Sequence, residues 1–190
     1  MKPDFKVAVR YGVIGALVMI IISVLSYLFY QNLFDSFFMQ IATGFLFFAL
    51  FVFIPVWGGV TFKRANGGVV SFKNAFIGVI IICAITSAGS NIMQYLIPNV
   101  LDTQYPEELV AFMKKTTADY MEKMGAPDEK VDEVMKNFTI EKFKPSALKT
   151  LESYGIALAF SAVLSLIIAA FLARKDKTPT AQATDSGTSA

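Results

Sequence analysis

The chain has 190 residues, 55% of them hydrophobic, and a formal net charge of +2. Soluble domains contain ~45–50% apolar residues, so the composition favours a membrane protein, and the weak charge suggests no nucleic-acid partner. Histidine is absent and Cys83 is the only cysteine. The usual ligand sets for metals and haem are therefore missing, and so are the Ser–His and Cys–His catalytic pairs. We expect no cofactor, no metal site and no enzyme activity.

Four long apolar segments predict four membrane-spanning helices. The first, residues 11–30, has no charge over a length that suffices to cross the hydrocarbon core. It is longer than the apolar core of a signal peptide and no small-residue cleavage site follows, so we expect an uncleaved helix. The other spans cover about residues 38–60, 75–96 and 154–173. The predicted fold is an all-α integral membrane protein, a single four-helix domain over residues 1–173.

The second half of the third span is polar, unlike the other spans. We interpret it as packed against protein or emerging into the interface. Its amides, Asn91 and Gln94, are expected to hydrogen-bond to neighbouring helices, with ligand binding as the alternative. The polar residues are Thr86, Ser87, Ser90, Asn91 and Gln94.

A polar loop, residues 97–150, separates the third and fourth spans and is predicted to be helical and extracytoplasmic. Pro106 followed by Glu107 and Glu108 favours a helix start. Apolar residues at helical spacing predict two amphipathic helices that cover each other or lie on the membrane surface, with a partner groove as the alternative. One face comprises Leu109, Met113, Thr116, Tyr120 and Met124, and the other comprises Val131, Val134, Met135 and Phe138.

Basic residues predict the orientation, because Lys and Arg near span ends favour the cytoplasm. Three basic segments fall on one side of four spans, which places both termini in the cytoplasm and the long loop outside. The loop's own seven lysines, between Lys114 and Lys144, act against this assignment. The tail, residues 174–190, is small, polar and non-periodic, and we expect it to be disordered and cytoplasmic.

The connection between the second and third spans, "KRANGGVVSFKNAF", has two interpretations. As a structural hairpin it combines glycines that reverse the chain, Ser71 as a helix N-cap, and two phenylalanines on one helical face at the interface. As a docking site it would bind a cytoplasmic partner or a lipid headgroup. The residues concerned are Lys63, Arg64, Asn66, Gly67, Gly68, Ser71, Phe72, Ala75 and Phe76.

Small residues recur at every fourth position of the fourth span. Such a ridge lets helix backbones approach closely in lipid. The neighbouring helix could belong to the same chain or to another copy, and the sequence leaves both open. The ridge comprises Ala157, Ser161, Ser165, Ala169 and Ala173.

The chain resembles an uncharacterised four-span bacterial membrane family, domain-of-unknown-function family 4199. The resemblance rests on the basic segment before the first span, the "NGG…SF..AF" connection, the charged Met-rich loop and the final span ending in "RKDK", and it covers about residues 6–176. It implies a location in the inner membrane of a bacteroidete-type Gram-negative bacterium. It implies no reaction and no catalytic residue.

The leading functional hypothesis is a non-enzymatic accessory, scaffold or assembly factor. Its partners would be the lipid bilayer and either a second membrane protein or another copy bound through the fourth span. The alternative is a subunit of a small oligomeric transporter or channel. An enzyme, the third hypothesis, would need chemistry from Glu152, Lys149 or the loop.

Overall fold

The computed structural model describes residues 3–30 and 37–173, which are helical with short connections and contain no strand. A π-helical turn, Ile97–Leu101, directly extends the third helix. The helices are α1 (Lys6–Leu28), α2 (Phe37–Ala65), α3 (Phe72–Leu96), α4 (Tyr105–Lys123), α5 (Asp128–Lys136), α6 (Ile140–Phe143) and α7 (Ala147–Leu172).

Four of these helices, α1, α2, α3 and α7, are long and apolar enough to cross a membrane, which confirms the predicted fold class. Their ends differ from the predicted spans because hydropathy marks the apolar part of a helix, whereas backbone hydrogen bonding continues into polar sequence. The largest difference is at α7, which begins at Ala147 because the side chain of Ser146 accepts a hydrogen bond from the amide of Lys149. The predicted disordered tail lies outside the described residues.

Helix α3 is the centre of the bundle and packs against α1, α2 and α7. Its buried residues Val79, Ile82 and Cys83 contact buried side chains that include Phe62 of α2 and Ala169 of α7. The outward faces are apolar and exposed, for example Phe45 and Ile156. This distribution suits a bundle in lipid, where the exterior is as apolar as the interior.

Helices α1 and α3 cross at very short range. A Cβ atom added at Gly89 of α3 would lie 2.8 Å from the carbonyl oxygen of Ala16. Only glycine allows the two backbones to approach this closely, as small residues do at other membrane helix crossings.

Helices α4, α5 and α6 form a small helical layer over one end of the bundle, which we call the cap (residues 102–146). Helix α4 packs against both α5 and α6, so the amphipathic helices cover each other as expected. The predicted face of α4 becomes more exposed along the helix: Leu109 is buried, Met113 and Thr116 are half-buried, and Met124 is 68% exposed. The short helix α6 and its contact with α4 were not predicted.

Candidate functional site

Residues 66–71 form a tight turn between α2 and α3. Gly67 and Gly68 have φ angles of +82° and +78°, a left-handed conformation that residues with a Cβ disfavour. The amide of Gly68 donates to the carbonyl of Lys63 at 3.0 Å, which satisfies a carbonyl at the end of α2. Ser71 then caps α3 by accepting a 3.4 Å hydrogen bond from the amide of Asn74. Gly67, Gly68 and Ser71 therefore have structural roles in this turn.

The side chain of Asn66 joins the turn to the N-terminal segment. Its Oδ1 accepts a 2.8 Å hydrogen bond from the amide of Asp4, and its Nδ2 donates a 2.8 Å hydrogen bond to the carbonyl of Phe62. The ring of Phe5 stacks on the buried ring of Phe62, with centroids 5.6 Å apart. The sequence analysis predicted a turn role for Asn66, and the contact with the N-terminal segment was not foreseen.

The two phenylalanines at the start of α3 have different environments. Phe76 packs against the core cluster, next to the fully buried Ala75. Phe72 is 46% exposed. The two positions lie on one face of α3, as residues four apart do, but Phe76 is half-buried and Phe72 is exposed. Their packing at the membrane interface stays a prediction.

A groove opens beside the turn, between the C-terminal ends of α2 and α7, and we call it the α2–α7 groove. Its volume is about 460 Å³. Lys63 and Arg64, in the last turn of α2, line its polar end together with Gly68 of the turn. Its apolar lining consists of Val56, Val60, Ile168, Phe171 and Leu172.

The small-residue ridge of α7 packs against α3 of the same chain. Ser161, Ser165 and Ala169 are fully buried, and Ala157 and Ala173, at the two ends, are partly buried. The hydroxyl of Ser165 lies 3.8 Å from the Sγ atom of Cys83, to which it donates. The ridge is therefore an intramolecular contact in this structure.

The polar half of α3 bonds mostly to its own backbone. Ser87 donates to the carbonyl of Cys83 at 2.7 Å and Asn91 donates to the carbonyl of Ser87 at 2.9 Å. Thr86 does reach another helix and donates to the carbonyl of Gly12 of α1 at 3.5 Å. The expectation that Asn91 bonds to a neighbouring helix is wrong, because its amide is satisfied one turn back along α3.

Two clefts adjoin this polar half of α3 and share Ser90 and Gln94 in their lining. One, of about 320 Å³, lies under the cap and is also lined by Tyr27 and Lys142. The other, of about 220 Å³, is lined on α3 by hydroxyl and amide side chains that include Asn91. Both linings therefore include side chains that can donate and accept hydrogen bonds.

The cap is fastened to the end of α1 by two tyrosine–carboxylate hydrogen bonds. Tyr27 donates to Oδ2 of Asp102 at 2.9 Å, and Tyr30 donates to Oε2 of Glu108 at 3.2 Å. The ring of Tyr105 meets the rings of Tyr27 and Tyr30 edge-on, with centroids 5.0 and 5.4 Å away. Edge-to-face rings attract each other beyond the area they bury, so this cluster fixes the position of α4.

The hydrogen bond from Tyr27 holds the pKa of Asp102 below its usual value, aided by the amides of Gln104 and Tyr105 and opposed by desolvation. Burial raises the pKa of Tyr105 to about 12, with further contributions from Tyr30, Tyr27 and Asp102. Asp102 is therefore an ionised acceptor at neutral pH and Tyr105 is a neutral phenol.

The sequence analysis assigned no role to Tyr27, Tyr30 or Asp102. One local signal was available: Oδ1 of Asp102 accepts from the amides of Gln104 and Tyr105, both at 3.0 Å. Asp commonly makes such bonds to the amides just after it, at turns and helix starts. No local pattern indicates which tyrosine the carboxylate meets 75 residues earlier.

Lys149 and Glu152, the candidates of the enzyme hypothesis, are both exposed in the first two turns of α7. Within residues 3–30 and 37–173, no group of three His, Cys, Asp or Glu side chains is arranged to hold a metal ion.

Comparison with known proteins identifies one family. The model described as "Protein of unknown function (DUF4199)" matches residues 10–174, which is most of the chain. No curated protein and no solved structure matches it.

Proposed function

We propose that this chain, which belongs to the DUF4199 family of proteins of unknown function, is a non-enzymatic accessory protein of the bacterial inner membrane. It would act by binding another membrane protein through the cap. Four helices long and apolar enough to cross a membrane support the multi-pass location.

The attachment of the cap to the bundle carries this proposal. Tyr27 and Tyr30 hold Asp102 and Glu108 at the base of α4, and the three tyrosine rings pack around this point. A surface fixed in advance loses less conformational entropy when it binds a partner than a mobile loop does. The cap is therefore better suited to interaction than an unfastened loop of the same composition.

The exposed side of the cap offers apolar side chains among charged ones. Met124 and Ile140 are exposed, and Lys114, Lys123 and Glu122 lie exposed on α4. Methionine is flexible and adapts to irregular surfaces. Apolar anchors surrounded by polar residues are the arrangement found at protein–protein interfaces.

Packing in the half of the bundle away from the cap supports an accessory protein that binds a partner over a transporter or channel. Phe62, Val79, Ile82 and Cys83 are fully buried there, and Ile54 nearly so. The two polar clefts lie on the cap side of this packed region. A transport path through a single copy would require these side chains to separate.

The proposed orientation places both termini in the cytoplasm and the cap outside. It rests on Lys63, Arg64 and Lys73 around the α2–α3 turn and on the three basic residues among residues 2–10, at the start of the first span. A reporter that is active only outside the cytoplasm should be active when fused near Ala126 and inactive when fused near Gly67. Activity at Gly67 would contradict the orientation.

Photo-crosslinking in cells tests the interaction. A photoreactive amino acid at Met124, on the exposed side of the cap, should trap one or a few proteins reproducibly. The matched control is the same amino acid at Ile156, which is exposed on the membrane-facing part of α7. Equal yields of the same products at both positions, or no protein product at Met124, would contradict a cap-mediated interaction.

A further inference from the structure

The two clefts beside the polar half of α3 adjoin each other at Ser90 and Gln94, and we call them together the chamber. The upper cleft, of about 320 Å³, lies under the cap. The lower cleft, of about 220 Å³, is lined by residues of all four long apolar helices, among them Met19 of α1 and Phe51 of α2. From Tyr27 in the upper cleft to Met19 in the lower one, α1 runs roughly 12 Å at 1.5 Å per residue. The chamber therefore extends from the cap into the middle of the bundle.

The lower end of the chamber meets the packed half of the bundle. One turn below Met19, a Cβ atom added at Gly15 would lie 2.8 Å from Cγ2 of Ile54. Ile82 and Cys83, one turn before the part of α3 that lines the chamber, are fully buried. A molecule that enters from the cap side therefore meets a closed floor, which favours binding over passage.

The α3 wall of the chamber, which comprises Ser90, Asn91 and Gln94, offers hydrogen-bonding groups that the fold leaves unused. The side chains of Ser90 and Gln94 make no hydrogen bond with any residue in the described ranges. Asn91 donates from Nδ2 to the carbonyl of Ser87, and its Oδ1 remains an acceptor. The α3 wall can therefore both donate hydrogen bonds to a small molecule and accept them from it.

The other helices give the lower cleft a largely apolar surface, which includes Met19, Phe51 and Ala157. Its described lining carries no charged side chain, so an ion would be buried there without a partner of opposite charge, which is costly. In the upper cleft, the ammonium of Lys142 already donates to the carbonyl of Asn137 at 2.7 Å. Water alone would satisfy the α3 wall but leave the apolar surface hydrated. The lining therefore favours an uncharged molecule with hydroxyl groups on one side and CH groups on the other.

We propose that the chamber binds a small uncharged polyol. Its hydroxyl groups bond to the α3 wall and its CH groups pack against Phe51. This site is additional to the cap-mediated interaction proposed above. Tyr27 and Tyr105, which fasten the cap to α1, also line the upper cleft, so a molecule bound there lies next to the attachment of the cap.

Thiol labelling of the purified full chain in lipid nanodiscs tests access to the chamber. Ala157→Cys places a thiol in the lower cleft without removing a hydrogen-bonding group. It should react with the uncharged 2-hydroxyethyl methanethiosulfonate at least about tenfold faster than with the anionic 2-sulfonatoethyl reagent, since an unpaired charge is costly to bury. Each rate is divided by that of Met124→Cys on the exposed cap, which corrects for the reactivity of the reagent.

Two controls define the background of this labelling. The unmodified protein should stay unlabelled, because its only cysteine, Cys83, is fully buried. Ile156→Cys introduces the thiol one position earlier, where the side chain is 72% exposed on the outside of α7. It should react slowly with both reagents, because the reactive thiolate does not form in lipid.

Protection from labelling tests binding. Glycerol should slow the modification of Ala157→Cys by the uncharged reagent about twofold when half of the sites are filled. At the same concentration, 1-propanol and urea should protect less, because the first has one hydroxyl group and the second has no CH group. Adding Gln94→Leu removes an amide that lines both clefts and should abolish the protection by glycerol. The matched control, Gln104→Leu, removes an exposed amide at the start of α4 and should keep it.

Several outcomes would overturn the proposal. These are no modification of Ala157→Cys by the uncharged reagent, equal protection by glycerol and either of the other two solutes, or protection that survives Gln94→Leu. Modification without protection by any solute would also overturn it and assign the chamber to water alone. Melting followed by circular dichroism shows whether each variant is folded, and Ser153→Cys, in the same lining, replaces Ala157→Cys if that variant is not.

Discussion

The hydroxyl of Tyr27 donates a 2.9 Å hydrogen bond to the carboxylate of Asp102, 75 residues further along the chain. The donor lies in the last turn of α1 and the acceptor directly follows the π-helical turn that ends the third span. Asp102 also holds the first amides of α4. One carboxylate therefore links the membrane bundle to the cap, and its loss should affect the cap more than the bundle.

Tyr27→Phe should loosen the cap without unfolding the bundle. The substitution keeps the ring contact with Tyr105 and removes the hydroxyl, so the main loss is the bond to Asp102. Hydrogen exchange at neutral pH should become faster in peptides from α4 and stay unchanged in peptides from α7.

Tyr95→Phe is the matched control. Its hydroxyl makes no hydrogen bond with any residue in the described ranges, and the side chain lines a cleft between α3 and α7. Exchange in α4 should be the same as in the unmodified protein. Equal effects of the two substitutions would show that the Tyr27–Asp102 bond does not hold the cap.

The same carboxylate makes the stability of the cap depend on pH. Its pKa is lowered in the folded protein, mainly by Tyr27, so its stabilisation is present above the unfolded pKa of ~3.9 and is lost as pH falls through the folded pKa. The melting temperature of the unmodified protein should exceed that of Asp102→Asn at pH 7, and the two should converge towards pH 3. A constant difference across this range would exclude Asp102 as the titrating group.

The membrane fold could be predicted because its signal is local. The backbone groups of an uncharged segment such as residues 11–30 find no water to bond to in lipid. A helix satisfies them because it forms its hydrogen bonds within the segment. The N-cap at Ser71 and the reversal at Gly67 and Gly68 also depend on neighbouring residues. The ends of the helices were predicted less accurately. Helix α7 begins at Ala147, before the predicted apolar span, because polar residues continue the helix beyond the apolar segment.

The contacts between distant segments could not be predicted from the sequence. Asn66 bonds to Asp4 and Tyr27 bonds to Asp102 because the bundle brings their helix ends together. The direction of Asn91 was also missed, since a polar side chain in a membrane helix can bond either across to a neighbour or back along its own backbone. The sequence supplies these groups, and only the tertiary arrangement selects their partners.

Ser165→Leu should destabilise the bundle through overpacking at the α3–α7 contact. Ser165 is fully buried beside Cys83, and inserting larger side chains into a packed interior costs about 1–3 kcal/mol. Leu166→Phe, at the next and 46% exposed position, should change stability by less than about 0.5 kcal/mol. Thermal melting in detergent compares the two variants. Equal melting temperatures would show that the ridge is not a tightly packed contact.

The turn between α2 and α3 provides the last prediction. Gly67→Val with Gly68→Val forces β-branched residues into φ angles of +82° and +78°, at a cost of roughly 1–2 kcal/mol for each position. The space around both glycines is open, so the cost comes from the backbone and not from a clash. We expect a lower melting temperature and lower accumulation in the membrane.

The matched control is Gly44→Val with Gly155→Val, two helical positions where an added Cβ also meets nothing within 4 Å. Because valine is accepted by helical backbone, this control should accumulate normally. If both double variants accumulate and melt alike, the left-handed glycines do not define the turn, and the basic residues beside them become the better explanation of the segment.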